Sequence, residues 1–345
     1  MNRQRVFFLA PTYMNLYKDI VVELEKQQYD VFVTEDILIR FNADYRDIPF
    51  RNKVRGKIFP TRYKYWEKMI RQPEFNEKYD IFLCINGCSL DKILIEHLKK
   101  MNPNIKTILY LWDTNNYYNF SKYIDLFDKV FTFDRVDAIF LKIRHLPNFW
   151  VDRGADNRQV IEYQLSFIGS LHDDRYWLIK NILKQVEEMQ ISYYVKLFVP
   201  TVIPSFFSTI RRLWYRIFLR KKKIEEWNVT FGRYVPSFAT NQLTEPQEFN
   251  RILEKSLCIL DTDRASQSGL TPRLIWALAA NKKIITTNKD IINYPFYSPD
   301  RILIIDREKP NIPYSFITES VDNTKPLSGI IDLRIDNWLK TMLNS

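Results

Sequence analysis

The chain has 345 residues, of which 46 % are hydrophobic and 27 % are charged, and these globular fractions exclude a wholly disordered chain or a fibrous repeat. Three cysteines and three histidines are too few for a disulfide framework and argue against a zinc or histidine-rich metal centre. The length favours two domains, and the net charge of +10 indicates an anionic partner.

Short apolar runs alternate with amphipathic stretches in the first half of the chain. We predict strands at residues 6–10, 31–34, 79–86, 107–112 and 129–133, and helices at residues 14–27, 91–100, 117–127 and 136–143. This alternation indicates parallel βαβ units. The first apolar run is too short for a signal-peptide core and no run approaches ~18 apolar residues, so we expect a cytoplasmic location.

The alternation restarts after a polar stretch that we predict to be a linker, residues 151–164. We predict strands at residues 165–169, 191–198, 229–235, 257–261, 283–286 and 301–305, and helices at residues 175–189, 248–255, 270–280 and 333–343. The sequence therefore predicts an α/β protein of two Rossmann-like doubly wound domains that face a cleft. We place them at residues 1–150 and 165–330, followed by a C-terminal helix in 331–345.

The basic excess is concentrated in residues 205–223, which carry seven positive charges and no negative ones. On a helical wheel the aromatic and aliphatic residues share one arc and the arginines lie mostly opposite, the pattern of a helix at a membrane interface. A surface helix packed on its domain and a nucleic-acid surface are the alternatives. The candidate membrane-contacting residues are Phe206, Arg211, Arg212, Trp214, Arg216, Phe218 and Arg220.

The stretch around Gly269 predicts a strand, a loop and a helix that begins near Pro272, with Ser268 as a candidate capping residue. Arg273 lies in the first turn, where a cation opposes the helix dipole and needs an anionic partner. A diphosphate fits this place, and Asp261 or Asp263 across the loop is the alternative.

A second candidate phosphate cradle lies where a predicted strand runs into Gly169. His172 follows it and could donate to a phosphate or a sugar hydroxyl. The alternative is a solvated loop histidine.

Several of these segments together resemble a known family. Residues 267–288 (QSGLTPRLIWALAANKKIITTN) and 290–297 (DIINYPFY) look like the donor-site region of bacterial GT-B glycosyltransferases of the CgeB-like and group-1 type, associated with lipopolysaccharide, capsule and exopolysaccharide synthesis. Similar motifs occur in the same order at residues 85–87, 110–113, 131–134, 146–147, 167–170 and 174–175.

The resemblance implies a C-terminal domain that binds a nucleotide sugar and an N-terminal domain that binds the acceptor. It also implies catalysis without a bound metal, although Asp261 and Asp263 form the D-x-D pattern by which metal-dependent glycosyltransferases hold Mg²⁺ or Mn²⁺. The implied donor-binding residues are Gly169, Ser170, Arg175, Asp261, Gln267, Ser268, Gly269, Leu270, Thr271 and Arg273.

One position departs from the family, which usually has an acidic residue three positions after the arginine, where this chain has Trp276. For the reaction, an inverting enzyme needs a general base. Asp113 and Asp134 follow predicted strands and are candidates, together with His172 as a third catalytic residue; helix capping is the alternative role of the two aspartates.

We therefore expect a glycosyltransferase that moves a sugar from a nucleotide-sugar donor to a growing surface-glycan or lipid-linked acceptor at the cytoplasmic membrane face. We expect an anionic membrane as a partner, and neither a cofactor nor nucleic acid. A catalytically inactive GT-B-like subunit that binds nucleotide or glycan is the alternative, motivated by Trp276.

Overall fold

The computed structural model describes residues 3–12, 15–36, 62–116, 119–154, 160–172, 174–199, 206–218, 221–319 and 327–344. Contacts divide the chain into two compact units. The first comprises Met1–Val151, Ser266–Leu270 and Ile331–Ser345, and the second comprises Asp152–Ala265 and Thr271–Ile330.

The first unit is built on a six-stranded parallel sheet of order β2-β1-β3-β4-β5-β6. Its elements up to the boundary are β1 (Arg5–Ala10), α1 (Leu16–Lys26), β2 (Asp30–Glu35), α2 (Arg62–Met69), β3 (Ile81–Ile85), α3 (Lys92–Met101), β4 (Lys106–Leu111), α4 (Ser121–Ile124), β5 (Lys129–Thr132), α5 (Arg135–Leu141) and β6 (Arg144–His145). The central strands are buried along their length, as apolar runs in a sheet covered on both faces should be.

The second unit repeats the plan with a parallel sheet of order β12-β11-β10-β7-β8-β9. Its elements are β7 (Tyr163–Ser170), α6 (Arg175–Glu188), β8 (Tyr193–Phe198), α7 (Phe206–Ile217), α8 (Lys221–Thr230), β9 (Ala239–Thr240), α9 (Pro246–Glu254), β10 (Ser256–Asp261), α10 (Pro272–Ala279), β11 (Lys283–Thr286), β12 (Ile302–Ile304) and α11 (Tyr314–Thr318). Its strand β7 begins inside the stretch predicted as a linker. The prediction of two doubly wound α/β halves is confirmed.

The last helix, α12 (Ile335–Asn344), belongs to the first unit. Its Trp338 is fully buried, with ring centroids 4.7 Å from those of Tyr110 and Phe149. The indole Nε1 donates to the carbonyl of Pro147 at 3.0 Å. Apolar burial thus attaches the end of the chain to the sheet that its beginning forms.

Two element predictions were wrong. Residues 229–235 were predicted as a strand, but they contain the end of α8, which stops before Gly232 at φ 67°. The edge strand beside β8 is β9 instead. The helix predicted at 117–127 is reduced to α4, because the side chains of Asn115 and Asn119 accept from the amides of Phe120 and Ser121 and form turns instead.

Candidate functional site

The carboxyl end of β10 carries a buried ion pair. Asp261 is fully buried, and its Oδ1 accepts from Arg273 Nε at 3.0 Å and from Thr271 Oγ1 at 2.6 Å. The other oxygen accepts from Thr286 Oγ1 at 3.2 Å. The sequence predicted either a diphosphate or an aspartate across the loop as the partner of Arg273. In the structure Arg273 pairs with the aspartate, Asp261.

The same guanidinium lies against the end of β7. Arg273 Nη1 donates to the carbonyl of Ile168 at 2.5 Å, and the group stacks 4.7 Å from the ring centre of Phe167. A Cβ atom on Gly169 would lie 2.5 Å from this Nη1. A larger residue here would displace the guanidinium from its bond to Ile168, because the absence of a side chain at Gly169 lets the arginine approach the strand so closely.

Arg175, in the first turn of α6, is a second buried guanidinium with a different environment. It is 6 % exposed, and it donates to the carbonyls of Ser170 and Thr262. Within the described part of the chain it forms no ion pair, and its Nε has no hydrogen-bond partner. Burial, and then the neighbouring Arg273, lowers the pKa of Arg175 to about 9. Among the described residues no carboxylate is bonded to this cation, and the negative charge of Asp261 only partly offsets these effects on its pKa.

A third guanidinium, that of Arg307, bridges two carboxylates. It donates to Asp174 at 2.7 Å and to Asp263 at 2.5 Å, and Asp263 also accepts from Thr287 Oγ1 at 2.5 Å. Burial raises the pKa of Asp263. Both acids of the D-x-D pattern thus have arginine and hydroxyl partners, and no group of three or more His, Cys, Asp and Glu that could hold a metal occurs among the residues described.

The pKa of His172 is affected by the positive charges around it. Burial lowers its pKa to about 3, and Arg175, Arg264 and Arg273 add to the effect by repulsion. The imidazole is therefore neutral near pH 7, so one ring nitrogen donates a hydrogen bond and the other accepts one. We call Arg175, Arg264, Arg273 and Arg307 the arginine cluster, and the carboxylates of Asp174, Asp261 and Asp263 lie beside it.

Helix α10, which contains Arg273, begins differently from the prediction. The capping residue of α10 is Thr271, whose Oγ1 accepts from the amide of Leu274 at 3.2 Å, with Pro272 in the first turn. Ser268 does not cap it. Trp276, which stands where the family usually has an acidic residue, packs in the interior. Its indole is buried, with its ring centre 5.4 Å from that of Phe249.

In the first unit, Asp134 holds the segment Ser266–Leu270. Its carboxylate caps α5 by accepting from the amides of Val136 and Asp137, each at 3.0 Å. It also accepts from the amides of Ser268 and Gly269, each at 2.8 Å, and from Ser268 Oγ. Asp134 therefore has the alternative role, that of a helix cap. Its two carboxylate oxygens together accept these five hydrogen bonds.

Close packing and further hydrogen bonds fix the rest of that segment. A Cβ on Gly269 would lie 2.5 Å from the ring of Phe133. Asn148 Nδ2 donates to the carbonyl of Leu270 at 2.9 Å, and Gln267 Nε2 donates to the carbonyl of Gly269 at 2.7 Å. Gln267, Gly269 and Leu270 therefore shape a loop in the first unit.

Asp113 follows β4 and is no helix cap, because α4 begins at Ser121. Asn86, buried at φ 60° after β3, donates to Asp113 Oδ2 at 2.6 Å and accepts from the amide of Trp112 at 2.9 Å. The sequence motif at residues 85–87 contains Asn86 but gave it no role, although an Asn-Gly pair directly after a strand marks a tight turn at the strand end.

The predicted basic segment forms α7 in the second unit. Arg211, Trp214, Arg216 and Phe218 are exposed, and Arg212 is half-buried. Arg220 and the side chain of Phe206 lie outside the described residues. The alternative in which the apolar face packs on the domain is wrong, because Leu213 and Trp214 are 60 % and 56 % exposed.

No described helix is long and apolar enough to cross a membrane.

No family profile matches the sequence, and no characterised protein matches it either.

Solved structures share the fold at low identity. A UDP-forming α,α-trehalose-phosphate synthase from Burkholderia xenovorans is 10 % identical, with 99 % of this chain and 98 % of that chain covered at a TM-score of 0.57. OtsA in its apo form is 12 % identical, with 98 % of both chains covered at 0.55. The glycotransferase of kitacinnamycin is 9 % identical, with 98 % and 96 % covered at 0.50. This chain therefore has the GT-B fold, which these sugar-transferring enzymes share.

Proposed function

We propose that the chain is a glycosyltransferase whose second unit holds a nucleotide-sugar donor by its phosphates. The observation that carries this proposal is Arg175, a buried cation that donates to carbonyls and whose Nε has no partner among the residues that the structure describes. A buried charge is unfavourable unless an opposite charge accompanies it. A diphosphate supplies that charge and several acceptor oxygens for charge-assisted hydrogen bonds.

The arginine cluster would also assist the chemical step. When an acceptor hydroxyl attacks the anomeric carbon, the bond to the nucleoside diphosphate breaks and negative charge grows on the leaving oxygen. Guanidinium groups that are already fixed, as Arg273 is by Asp261, stabilise this charge without reorganisation. We propose that transfer needs no bound metal, and we expect activity to survive EDTA.

Among the predicted catalytic residues, we propose Asp113 as the general base of an inverting reaction. Its carboxylate is half-buried and accepts from Asn86, and it caps no described helix, whereas Asp134 caps α5. We propose that neutral His172 donates to a phosphate or sugar oxygen. Asp113→Asn should then lower kcat while the KM for the donor stays unchanged.

We propose a surface glycan, carried at the cytoplasmic face of a membrane, as the acceptor. The support is the sequence resemblance of residues 267–288 to polysaccharide-synthesis enzymes and the exposed apolar side of α7. The acceptor would bind the first unit, as in the family that the sequence resembles.

Release of nucleoside diphosphate from a panel of UDP-, GDP- and dTDP-sugars, with glycan and lipid-linked acceptors, tests the proposal. The expected result is acceptor-dependent release from one nucleotide class. The second candidate is an inactive subunit that binds nucleotide, which the packed Trp276 favours because an indole cannot accept bonds from sugar hydroxyls. Tight nucleotide binding without release from any donor would select that candidate.

A further inference from the structure

Helix α7 (Phe206–Ile217) turns its apolar side to solvent. Ile210, Leu213, Trp214, Ile217 and the following Phe218 are between 46 % and 66 % exposed. We call these five residues the α7 face. A surface helix ordinarily buries such a stripe against its own domain, so the orientation of α7 is the reverse of the usual one.

Polar contacts on the opposite side fix this orientation. Arg212 Nε donates to Asn228 Oδ1 of α8 at 3.2 Å, and its guanidinium lies 5.0 Å from the ring centre of Trp227. Tyr215, one turn further along, is half-buried. Because these contacts hold α7 by its polar side, the α7 face stays outside.

The charges that border the α7 face decide what can cover it. At 100° per residue the five apolar side chains span an arc of about 140°. Arg211 borders this arc on one side and Arg216 lies beyond its other side, and both are exposed. Arginines that flank an apolar arc can bury their stems and keep their charged ends at the level of lipid headgroups.

We propose that the α7 face inserts into the interface of a lipid bilayer that carries anionic headgroups. Seven Lys and Arg, with no Asp or Glu, occur between residues 205 and 223. A second copy of the chain would bring Arg211 and Arg216 against the same charges, which is unfavourable. A nucleic acid offers phosphates to the arginines but nothing apolar to Leu213 and Ile217. This proposal is independent of sugar transfer.

Sedimentation with lipid vesicles tests it. The full chain should sediment with vesicles of phosphatidylcholine mixed with phosphatidylglycerol and only weakly with phosphatidylcholine alone. Arg211→Gln and Arg216→Gln should each lower the partition coefficient about fivefold. The triple variant Leu213→Ser, Trp214→Ser, Ile217→Ser should lower it by at least about tenfold.

The matched control replaces three equally exposed apolar residues elsewhere in the second unit, Val235→Ser, Leu243→Ser and Ile292→Ser, and should bind like the unmodified chain. Quenching by brominated lipid, compared between the chain and Trp214→Leu, should show that Trp214 enters the bilayer. Equal sedimentation of the two triple variants would overturn the proposal. A dimer or an RNA complex that only the α7 variant loses would also overturn it.

Discussion

Arg175 is 6 % exposed and the side chain of Arg273 is 10 % exposed, but among the described residues only Arg273 forms an ion pair with a carboxylate. Arg273 pairs with Asp261 at 2.9 Å, whereas Arg175 donates to carbonyls. Removal of one member of a buried ion pair leaves an unpaired charge. Removal of Arg175 leaves none. In the chain without ligand, substitution of Arg273 should therefore lower stability, whereas substitution of Arg175 should not.

Arg273→Ala should lower the free energy of unfolding by about 3 kcal/mol, because it leaves Asp261 charged and buried without its partner. Addition of Asp261→Asn should recover part of the loss, since the amide carries no charge. Urea denaturation of both variants measures this. An equal loss in the double variant would contradict the ion-pair account.

His172 should make the protein sensitive to mild acid. Its folded-state pKa of about 3 lies below the ordinary value of 6.5, so only the unfolded chain binds a proton there between these two values. The free energy of unfolding should therefore fall, by up to about 1 kcal/mol per pH unit, as the pH drops through this window.

Urea denaturation at several pH values measures the effect, and His172→Gln should flatten the profile. The control is His97→Gln, in the first unit and outside the arginine cluster. An NMR titration in which the His172 ring protonates near pH 6.5 would refute this account.

Gly169, His172, Arg175 and Arg273 were singled out from the sequence because they stand next to strand ends and helix starts, and in the structure they lie close together. It could not identify the bridge by Arg307, because its partner Asp174 is 133 positions away in the chain. The bonds from Ser268 and Gly269 to Asp134 were missed for the same reason. Local motifs can thus predict which residues are special, but not their partners.

At the scale of elements, Asp134 joins the start of α5 to the segment Ser266–Leu270. One carboxylate serves four backbone amides, which are those of Val136, Asp137, Ser268 and Gly269. A helix cap ordinarily serves one or two amides. The loop that the family resemblance places at the donor is therefore fixed in the first unit by an acidic side chain at the end of β5.

Asp134→Ala should lower the free energy of unfolding by about 2 kcal/mol or more, at the upper end for a helix cap. It should also speed hydrogen exchange at the amides of Ser268 and Gly269. The matched control is Asp91→Ala, which removes a cap with one bond, to the amide of Ile93 at 3.2 Å. Equal losses in the two variants would show that the bonds to the loop add nothing.

The alternation of strands and helices was predictable because a strand buried on both faces has a compact apolar signature. The failures at α8 and α4 have a different origin. The strand predicted from residue 229 starts inside the last turn of α8, and the helix-ending role of Gly232 was overlooked.

At the scale of the whole molecule, each unit has its own sheet and core, and the first unit is closed by residues from the far end of the chain. Trp338→Ala should therefore destabilise the first unit by about 3–5 kcal/mol, because it opens a cavity beside Tyr110 and Phe149.

Hydrogen exchange followed by mass spectrometry should show faster exchange in β4 and β5 and unchanged exchange in β10. Trp214→Ala, which removes an exposed indole, should change stability by less than about 0.5 kcal/mol. Faster exchange in β10 of the Trp338 variant would show that the two cores are not independent.

The central claim is that the arginine cluster binds a nucleotide through its phosphates, and Arg175 tests it most directly. Calorimetric titration with UDP, GDP, dTDP and CMP would compare the unmodified chain with Arg175→Met and with Arg251→Gln, a control at an exposed position of α9. We predict that one nucleotide binds and that Arg175→Met weakens it at least about tenfold without lowering the stability of the free protein, while the control binds normally. Unchanged affinity in Arg175→Met, or no binding of any nucleotide to the unmodified chain, would contradict the account.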